Sequence, residues 1–105
     1  MADYVLLYTG GSVPESEEEQ ARVMQAWTDF YQAIGEAIKD GGNPFGPAKT
    51  VAADGSVSDG VSGAPHTGYT IVTADSLDAA TEMAKGAPVL TSAGSVTVYE
   101  TFEVM

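Results

Sequence analysis

The chain has 105 residues, 44% of them hydrophobic, which is enough for one domain with its own core. Because no linker segment divides it, residues 1–105 are predicted to form a single domain. Fifteen acidic residues against four basic ones give a net charge of −11, which argues against nucleic acids and anionic membrane surfaces as partners. Cysteine is absent, which excludes disulfides and thiolate metal sites.

The N-terminal residues, Met-Ala-Asp-Tyr, contain neither the basic region nor the long apolar stretch of a signal peptide. The chain also lacks the run of about 18 apolar residues that a membrane-spanning helix requires. The sequence therefore predicts a cytoplasmic protein that does not enter membranes.

Residues 3–9 form a short apolar run rich in residues that favour β-structure. Alternate side chains point to opposite faces of a strand, and here one face carries Tyr4, Leu6 and Tyr8, and the other Val5 and Leu7. Because both faces are apolar, we predict a central strand of the sheet.

An amphipathic helix is predicted from Ser16 to Asp40, because apolar residues recur three or four positions apart around Trp27. Ser12 and Ser16 both begin a capping-box sequence, so the helix could start at either serine. Trp27 is expected in the core. Gly35, inside the predicted helix, indicates close packing at that position.

A β-hairpin is predicted after the first helix. Lys49 to Ala53 would form its first strand, Asp54-Gly55 the turn, and Ser56 to Ser58 the return. The loop from Asp59 to Gly68 follows, and it contains His66, the only histidine.

Three further elements complete the chain. Tyr69 to Thr73 is predicted to form a second central strand, apolar on both faces. A second helix should begin at Asp75 or Ser76 and stop at Gly86. Val96 to Val104 alternates in polarity, which predicts the last strand.

The predicted order is strand, helix, strand, strand, helix, strand. Two right-handed strand–helix–strand units of this kind give an α+β, ferredoxin-like βαββαβ fold with a four-stranded antiparallel sheet. The first and third strands of that sheet, here Tyr4–Tyr8 and Tyr69–Thr73, are the inner pair. Two helices cover only one face of such a sheet. We therefore predict a homodimer whose open sheet faces pack together.

His66 is the one side chain that titrates near neutral pH, so it is the candidate general base, with Asp59 or a tyrosine as its partner. Tyr8, Tyr69 and Tyr99 are predicted to share a region of the sheet, where they either bind a ligand or fill the dimer interface, and the enrichment of Tyr at interfaces favours the second. A single His without Cys argues against a metal site, and no cofactor is predicted.

Six short motifs occur in an order and spacing typical of a known family: Tyr4-Val-Leu-Leu-Tyr8, Asp54-Gly-Ser-Val-Ser-Asp-Gly60, Gly68-Tyr-Thr-Ile-Val72, Asp75-Ser-Leu-Asp-Ala-Ala80, Ala87-Pro-Val-Leu90 and Val96-Thr-Val-Tyr-Glu100. Through them the chain resembles the YCII-related family, including its DGPF branch, over nearly its whole length. The resemblance implies a dimeric α+β barrel.

The sequence departs from that family at the positions linked to activity. The DGPF signature reads Asp59-Gly-Val-Ser62, without its Pro-Phe. Some YCII proteins carry a His near the start of the first helix and an Asp before a late Pro, a pair proposed to be catalytic. Here Glu17 to Arg22 contains no His, and Ala87 precedes Pro88, so neither residue can be transferred.

Two functions remain open from the sequence. The first is a homodimeric binding or interaction module that holds a small, apolar or aromatic organic ligand in a cleft beside the sheet, without chemistry. The alternative is an enzyme that carries out proton transfer or lyase-type chemistry on a small organic substrate, with His66 as the base.

Overall fold

The computed structural model describes residues 2–11 and 15–102, which form six strands and two α-helices. Two short 3₁₀ turns, Gly35–Ala37 and Pro88–Ser92, follow the helices. The elements in chain order are β1 (Ala2–Thr9), α1 (Glu17–Ile34), β2 (Ile38–Asp40), β3 (Lys49–Val51), β4 (Val57–Asp59), β5 (His66–Ala74), α2 (Leu77–Ala84) and β6 (Ser95–Glu100).

Four strands form one antiparallel sheet in the order β2–β5–β1–β6. Strands β1 and β5 are the inner pair, as the apolar residues on both of their faces predicted. Val5 of β1 lies opposite Ile71 of β5 on one side and opposite Tyr99 of β6 on the other. The predicted α+β, ferredoxin-like arrangement is therefore confirmed.

Helix α1 begins at its predicted cap, where the hydroxyl oxygen of Ser16 accepts a hydrogen bond of 3.1 Å from the backbone N–H of Glu19. This bond satisfies one of the amide groups that a helix start leaves without a partner. The alternative cap at Ser12 lies outside the described residues.

The predicted end of this helix is wrong. Helix α1 stops at Ile34, and Ile38–Asp40 form the edge strand β2 instead of a last helical turn. Gly35 is a poor helix former and Ile38 is β-branched, so local preference favours the change. The close packing predicted at Gly35 is also wrong, because a Cβ atom built there would meet no described atom within 4 Å.

The predicted hairpin is present, but within the described chain β3 and β4 pair with each other and not with the main sheet. Its turn is set by Asp54, whose Oδ1 accepts a hydrogen bond of 2.9 Å from the backbone N–H of Ser56, and by Gly55 at a φ of 90°. Both hairpin strands are exposed along their whole length, so no core contact draws them into the sheet. The second strand of the main sheet is therefore β2, which precedes the position predicted.

Helix α2 begins at Ser76, whose hydroxyl oxygen accepts a hydrogen bond of 3.0 Å from the backbone N–H of Ala79. The last strand, β6, ends at Glu100, earlier than predicted, and the final predicted strand residues, 103 and 104, lie outside the described part of the chain. None of the described helices combines the length and apolarity needed to cross a membrane.

The core lies between one face of the sheet and the two helices. On the inner strands this buried face carries Tyr4, Leu6, Tyr8, Thr70, Val72 and Ala74. Helix α1 contributes Phe30, and α2 contributes Ala80 and Ala84. The small alanine side chains allow α2 to approach the sheet closely, which leaves more room beside the aromatic side chains of α1.

The opposite face of the sheet is covered by none of the described elements. Val5, Leu7 and Ile71 lie half-buried on it, and Tyr99 is 55% exposed. The molecule measures 43 × 41 × 18 Å, and its short dimension matches one layer of helices on one sheet. Val5 and Leu7 are therefore the apolar set that lacks cover within residues 2–11 and 15–102.

Candidate functional site

A cavity of about 910 Å³ opens between α1, the end of β1, the start of β5 and the 3₁₀ turn after α2. We call it the aromatic cavity. Its walls are formed by Tyr8, Gly10, Gly11, Glu19, Arg22, Val23, Ala26, Trp27, Tyr31, Gly42, Asn43, Pro44, Thr67, Gly68, Tyr69, Pro88, Val89, Thr91 and Ser92. The volume is within the range that suits a small organic ligand.

Aromatic rings from α1 and β1 form the inner wall. The ring of Trp27 lies edge-on to that of Tyr8, with centroids 5.0 Å apart and an interplanar angle of 72°. Tyr31, one turn further along α1, has its centroid 5.8 Å from that of Trp27. Trp27 packs against the core as predicted, but it is only partly buried because it also lines the cavity.

The wall at Gly42 depends on glycine. Gly42 follows β2 at a φ of 72°, and a Cβ atom there would lie 1.7 Å from the backbone oxygen of Tyr69. The chain after β2 therefore passes directly against β5, which closes this side of the cavity. A side chain at this position would push the two segments apart.

Buried hydroxyl groups are tied together beneath the aromatic rings. The hydroxyl of Tyr8 donates a hydrogen bond of 2.7 Å to Thr70 Oγ1, and Thr70 is fully buried. Thr70 Oγ1 and the Tyr31 hydroxyl each donate to the backbone oxygen of Gly41, at 3.3 and 3.1 Å. Since these protons are already donated within the protein, the Tyr8 and Tyr31 oxygens face a ligand mainly as acceptors.

Tyr8 keeps its proton under physiological conditions. Burial raises the pKa of Tyr8 from 10.0 to about 12, and the hydrogen bond to Thr70 only partly opposes that shift. Tyr8 is 4% exposed, so its phenolate would lack the solvation that an anion needs. It is therefore a neutral hydrogen-bonding group and not a general base at neutral pH.

Two charged side chains line the cavity, both on the first turns of α1. The Glu19 carboxylate accepts a hydrogen bond of 3.0 Å at Oε2 from the backbone N–H of Glu15. Arg22 lies three residues later and forms no ion pair with any carboxylate of the described chain. The cavity thus combines aromatic walls with one guanidinium group.

His66 and Asp59, the predicted catalytic pair, are not in contact within the described structure. A hydrogen bond of 2.9 Å joins His66 Nδ1 to Thr9 Oγ1, and His66 directly precedes the wall residue Thr67. Asp59 lies in the hairpin, where its carboxylate pairs with Lys49 Nζ at 2.6 Å and its side chain is 89% exposed. The fold therefore brings His66 beside the cavity and leaves Asp59 in a different sheet.

The three predicted ligand-binding tyrosines lie in two places. Tyr8 and Tyr69 both line the aromatic cavity. The Tyr69 ring stacks on Phe45 at 5.7 Å between centroids, and Tyr69 lies opposite Leu7, so its side chain belongs to the open face. Tyr99 lies on that open face and is not among the cavity-lining residues of the described chain.

Residues 2–11 and 15–102 contain no group of three or more His, Cys, Asp or Glu side chains that could hold a metal ion.

Sequence reasoning missed Arg22, Val23 and Tyr31 as site residues. Val23, Trp27 and Tyr31 are spaced four apart, and that stripe was interpreted as buried core. A spacing of four residues fits equally well an apolar stripe that packs partly on the sheet and partly lines a cavity. Arg22 carried one usable signal, because a cation next to an aromatic stripe is unusual in so acidic a chain.

Tyr8→Phe tests the buried phenol. Between pH 10 and 12 the unfolded chain releases the Tyr8 proton while the folded chain retains it, so wild-type stability falls as the pH rises. The variant should lose that component, which is worth up to about 2–3 kcal/mol. Urea unfolding over this pH range measures it. Tyr99→Phe, at an exposed position, is the control and should keep the wild-type slope; equal slopes for both variants would contradict the burial of Tyr8.

No family model matches the sequence, and no curated protein sequence matches it. Among solved structures, the chain is similar to 5-chloro-2-hydroxyhydroquinone dehydrochlorinase (TftG) from Burkholderia phenoliruptrix AC1100, in complex with 2,5-dihydroxybenzoquinone. The TM-score is 0.54 and the identity 17%, over 95% of this chain and 93% of that one.

A second similar structure is that of At3g17210 from Arabidopsis thaliana, with a TM-score of 0.48 and 15% identity over 100% of this chain and 99% of that one. TftG, whose TM-score exceeds 0.5, has the fold of the dimeric α+β barrel proteins. This chain therefore has the fold class that its resemblance to the YCII-related family implied, while membership of that family remains a prediction.

Proposed function

We propose that this chain is a cytoplasmic, YCII-like homodimer that binds a small aromatic molecule in the aromatic cavity. The observation that carries the proposal is the cavity wall itself, where Tyr8, Trp27 and Tyr31 surround a space of about 910 Å³. Aromatic walls with a few placed polar groups are typical of sites for small organic ligands.

The arrangement of the wall side chains explains why the cavity would favour an aromatic ligand. The Trp27 and Tyr8 rings already meet at right angles, so a planar ligand can contact one by its face and the other by its edge. Each such aromatic contact is worth about 0.5–1.5 kcal/mol beyond the area it buries. Hydroxyl substituents on the ring can donate to the Tyr8 or Tyr31 oxygens, whose own protons are donated elsewhere.

The comparison with TftG supports a ligand with a single six-membered ring. That structure holds 2,5-dihydroxybenzoquinone, a single hydroxylated six-membered ring. A ring of this kind is small enough for the aromatic cavity. Because the identity is 17%, this support concerns the class of ligand and not the residues that would contact it.

The open sheet face supports the homodimer. Val5, Leu7 and Ile71 form its apolar centre, and the Asp3–Lys39 ion pair lies beside them. A stable interface needs about 800 Å² from each partner, and the open face of a four-stranded sheet with its flanking segments is the surface that would supply it. The net charge of −11 opposes association weakly, since physiological salt screens charges beyond about 8 Å.

An enzyme is the second candidate, favoured by the position of His66. The imidazole lies next to the cavity wall and its Nδ1 is held by Thr9, which leaves Nε2 as the nitrogen that can exchange a proton with a ligand. Asp59 is held by Lys49 in the hairpin, so a pairing with His66 would require the hairpin to move. The binding function comes first because it requires no such rearrangement.

Ala26→Phe tests ligand binding. Ala26 lines the cavity, so a phenyl group there should occupy the space and weaken binding at least about tenfold through steric exclusion. Binding is measured by calorimetry and by fluorescence of Trp27, the only tryptophan, with phenol, hydroquinone and 2,5-dihydroxybenzoquinone as probes. Ala33→Phe makes the same change at an exposed position of α1 outside the wall and should bind normally. Equal loss in both variants would contradict the assignment of the cavity.

Leu7→Glu tests the homodimer. The substitution places a charge in the centre of the open face, where it would be buried in a dimer without a partner, and association should weaken by several kcal/mol. Light scattering at micromolar concentration should give twice the chain mass of 10.8 kDa for the wild type and the chain mass itself for the variant. Leu77→Glu, on the exposed side of α2, should remain dimeric. A wild type that scatters as a monomer would refute the dimer.

His66→Ala separates the two candidate functions. If the chain is an enzyme, a substrate found by screening should be turned over at least about a hundredfold more slowly by the variant, because the general base is gone. If the chain only binds, the affinity for the aromatic probes should be unchanged. Thr9→Val, which removes the hydrogen bond to His66 but keeps the imidazole, is the intermediate case and should show a smaller loss of turnover.

A further inference from the structure

We infer that the ligand of the aromatic cavity is an aromatic carboxylate, whose ring packs on Trp27 and whose carboxylate is bound by the Arg22 guanidinium. The inference rests on the proposed function, since it assigns the charge of the ligand that this function requires. It depends on the absence of an ion pair at Arg22 within the described chain and on the shape of the cavity wall.

Arg22 differs from the other three basic residues. The sequence contains 15 acidic residues and four basic ones, so an accessible cation normally finds a carboxylate. Each lysine does so, and the pairs are Lys39 with Asp3, Lys49 with Asp59 and Lys85 with Glu82. Arg22 alone forms no ion pair within the described chain, although Glu18 and Glu19 lie on the same turn of helix.

Glu19 forms no ion pair with Arg22 in the described chain. Its carboxylate is engaged by the backbone N–H of Glu15 at 3.0 Å, which directs it toward the helix start. That bond uses one acceptor position of the carboxylate, whereas no hydrogen bond or ion pair of the described chain engages the donors of Arg22. Arg22 is therefore the charged wall residue whose hydrogen-bonding groups are all uncommitted.

The guanidinium group also specifies the kind of anion. Its N–H donors form a planar fork that matches the two oxygens of a carboxylate, and paired charge-assisted hydrogen bonds are stronger than neutral ones. An exposed arginine binds an anion weakly by itself, so the aromatic wall must supply the remaining affinity.

Arg22 and Trp27 line the same cavity from α1. They are five residues apart, which is about 7.5 Å along a helix axis and about 140° around it, so a ligand that contacts both must reach across the cavity. Ala26 lies between them and offers only a methyl group, which leaves room for the ring over the helix surface.

Benzoate and benzamide test the inference, because they share one shape and differ in charge. Calorimetry and Trp27 fluorescence should show that the wild type binds benzoate at least about tenfold more tightly, as expected for hydrogen bonds to a charged group. Arg22→Gln should abolish this preference by weakening benzoate alone. Arg22→Lys should retain part of it, because the charge remains but the fork is lost. Lys85→Gln changes the net charge equally at a residue that does not line the cavity, and it should keep the full preference.

The outcomes separate the inference from the proposed function. Equal affinity for benzoate and benzamide in the wild type, or a benzoate preference that survives Arg22→Gln, would overturn the carboxylate assignment and leave aromatic binding in place. Failure of both compounds and of the hydroxylated probes to bind would overturn aromatic binding, and the carboxylate assignment with it. An equal loss of preference in Arg22→Gln and Lys85→Gln would show a general charge effect and also refute the role of Arg22.

Discussion

Strand β1 is apolar on both faces, and the rest of the molecule is arranged to bury those faces. Tyr4, Leu6 and Tyr8 contact the helices, which is enough to define the core. The chain has only two α-helices in its described part, and both lie on this side. Val5 and Leu7 therefore remain uncovered, and a second copy of the sheet is the simplest surface that would cover them. The same alternation that forms the core thus leaves the apolar face on which the proposed homodimer would form.

The aromatic cavity arises at the end of β1, where the packing of the two helices differs. Helix α2 presents alanines and lies close to the sheet, whereas α1 presents Trp27, Phe30 and Tyr31. Rings of that size hold α1 away from the strands, and the space between them is the cavity. The buried hydroxyl of Thr70 fixes the Tyr8 phenol beneath this space, so the wall is set before any ligand arrives. Binding to such a preformed site costs little reorganisation.

Local signals predicted those parts of the fold that depend on a few neighbouring residues. The caps at Ser16 and Ser76 and the turn at Asp54-Gly55 each follow from one hydrogen-bonding side chain and a glycine or helix start. The inner strands followed from apolar residues on both faces. Strand β2 was missed because Ile38 continues the spacing of the helix, and only the pairing of Ile38 with Val72 turns it into a strand. The cavity was missed for a related reason: spacing shows which side of a helix is apolar but not how far that side stands from the sheet.

The cavity and the open face lie on opposite sides of the sheet, yet Tyr69 belongs to both. Its backbone is held against Gly42 in the cavity wall, and its ring stacks on Phe45 beside the open face. In the proposed homodimer, the partner would hold β5 in place through the face that carries Leu7 and Tyr69. Strand β5 also supplies Thr70 beneath the cavity and Gly68 in its wall. Association would therefore act on the site by making its walls rigid, which lowers the conformational entropy that a ligand must remove when it binds.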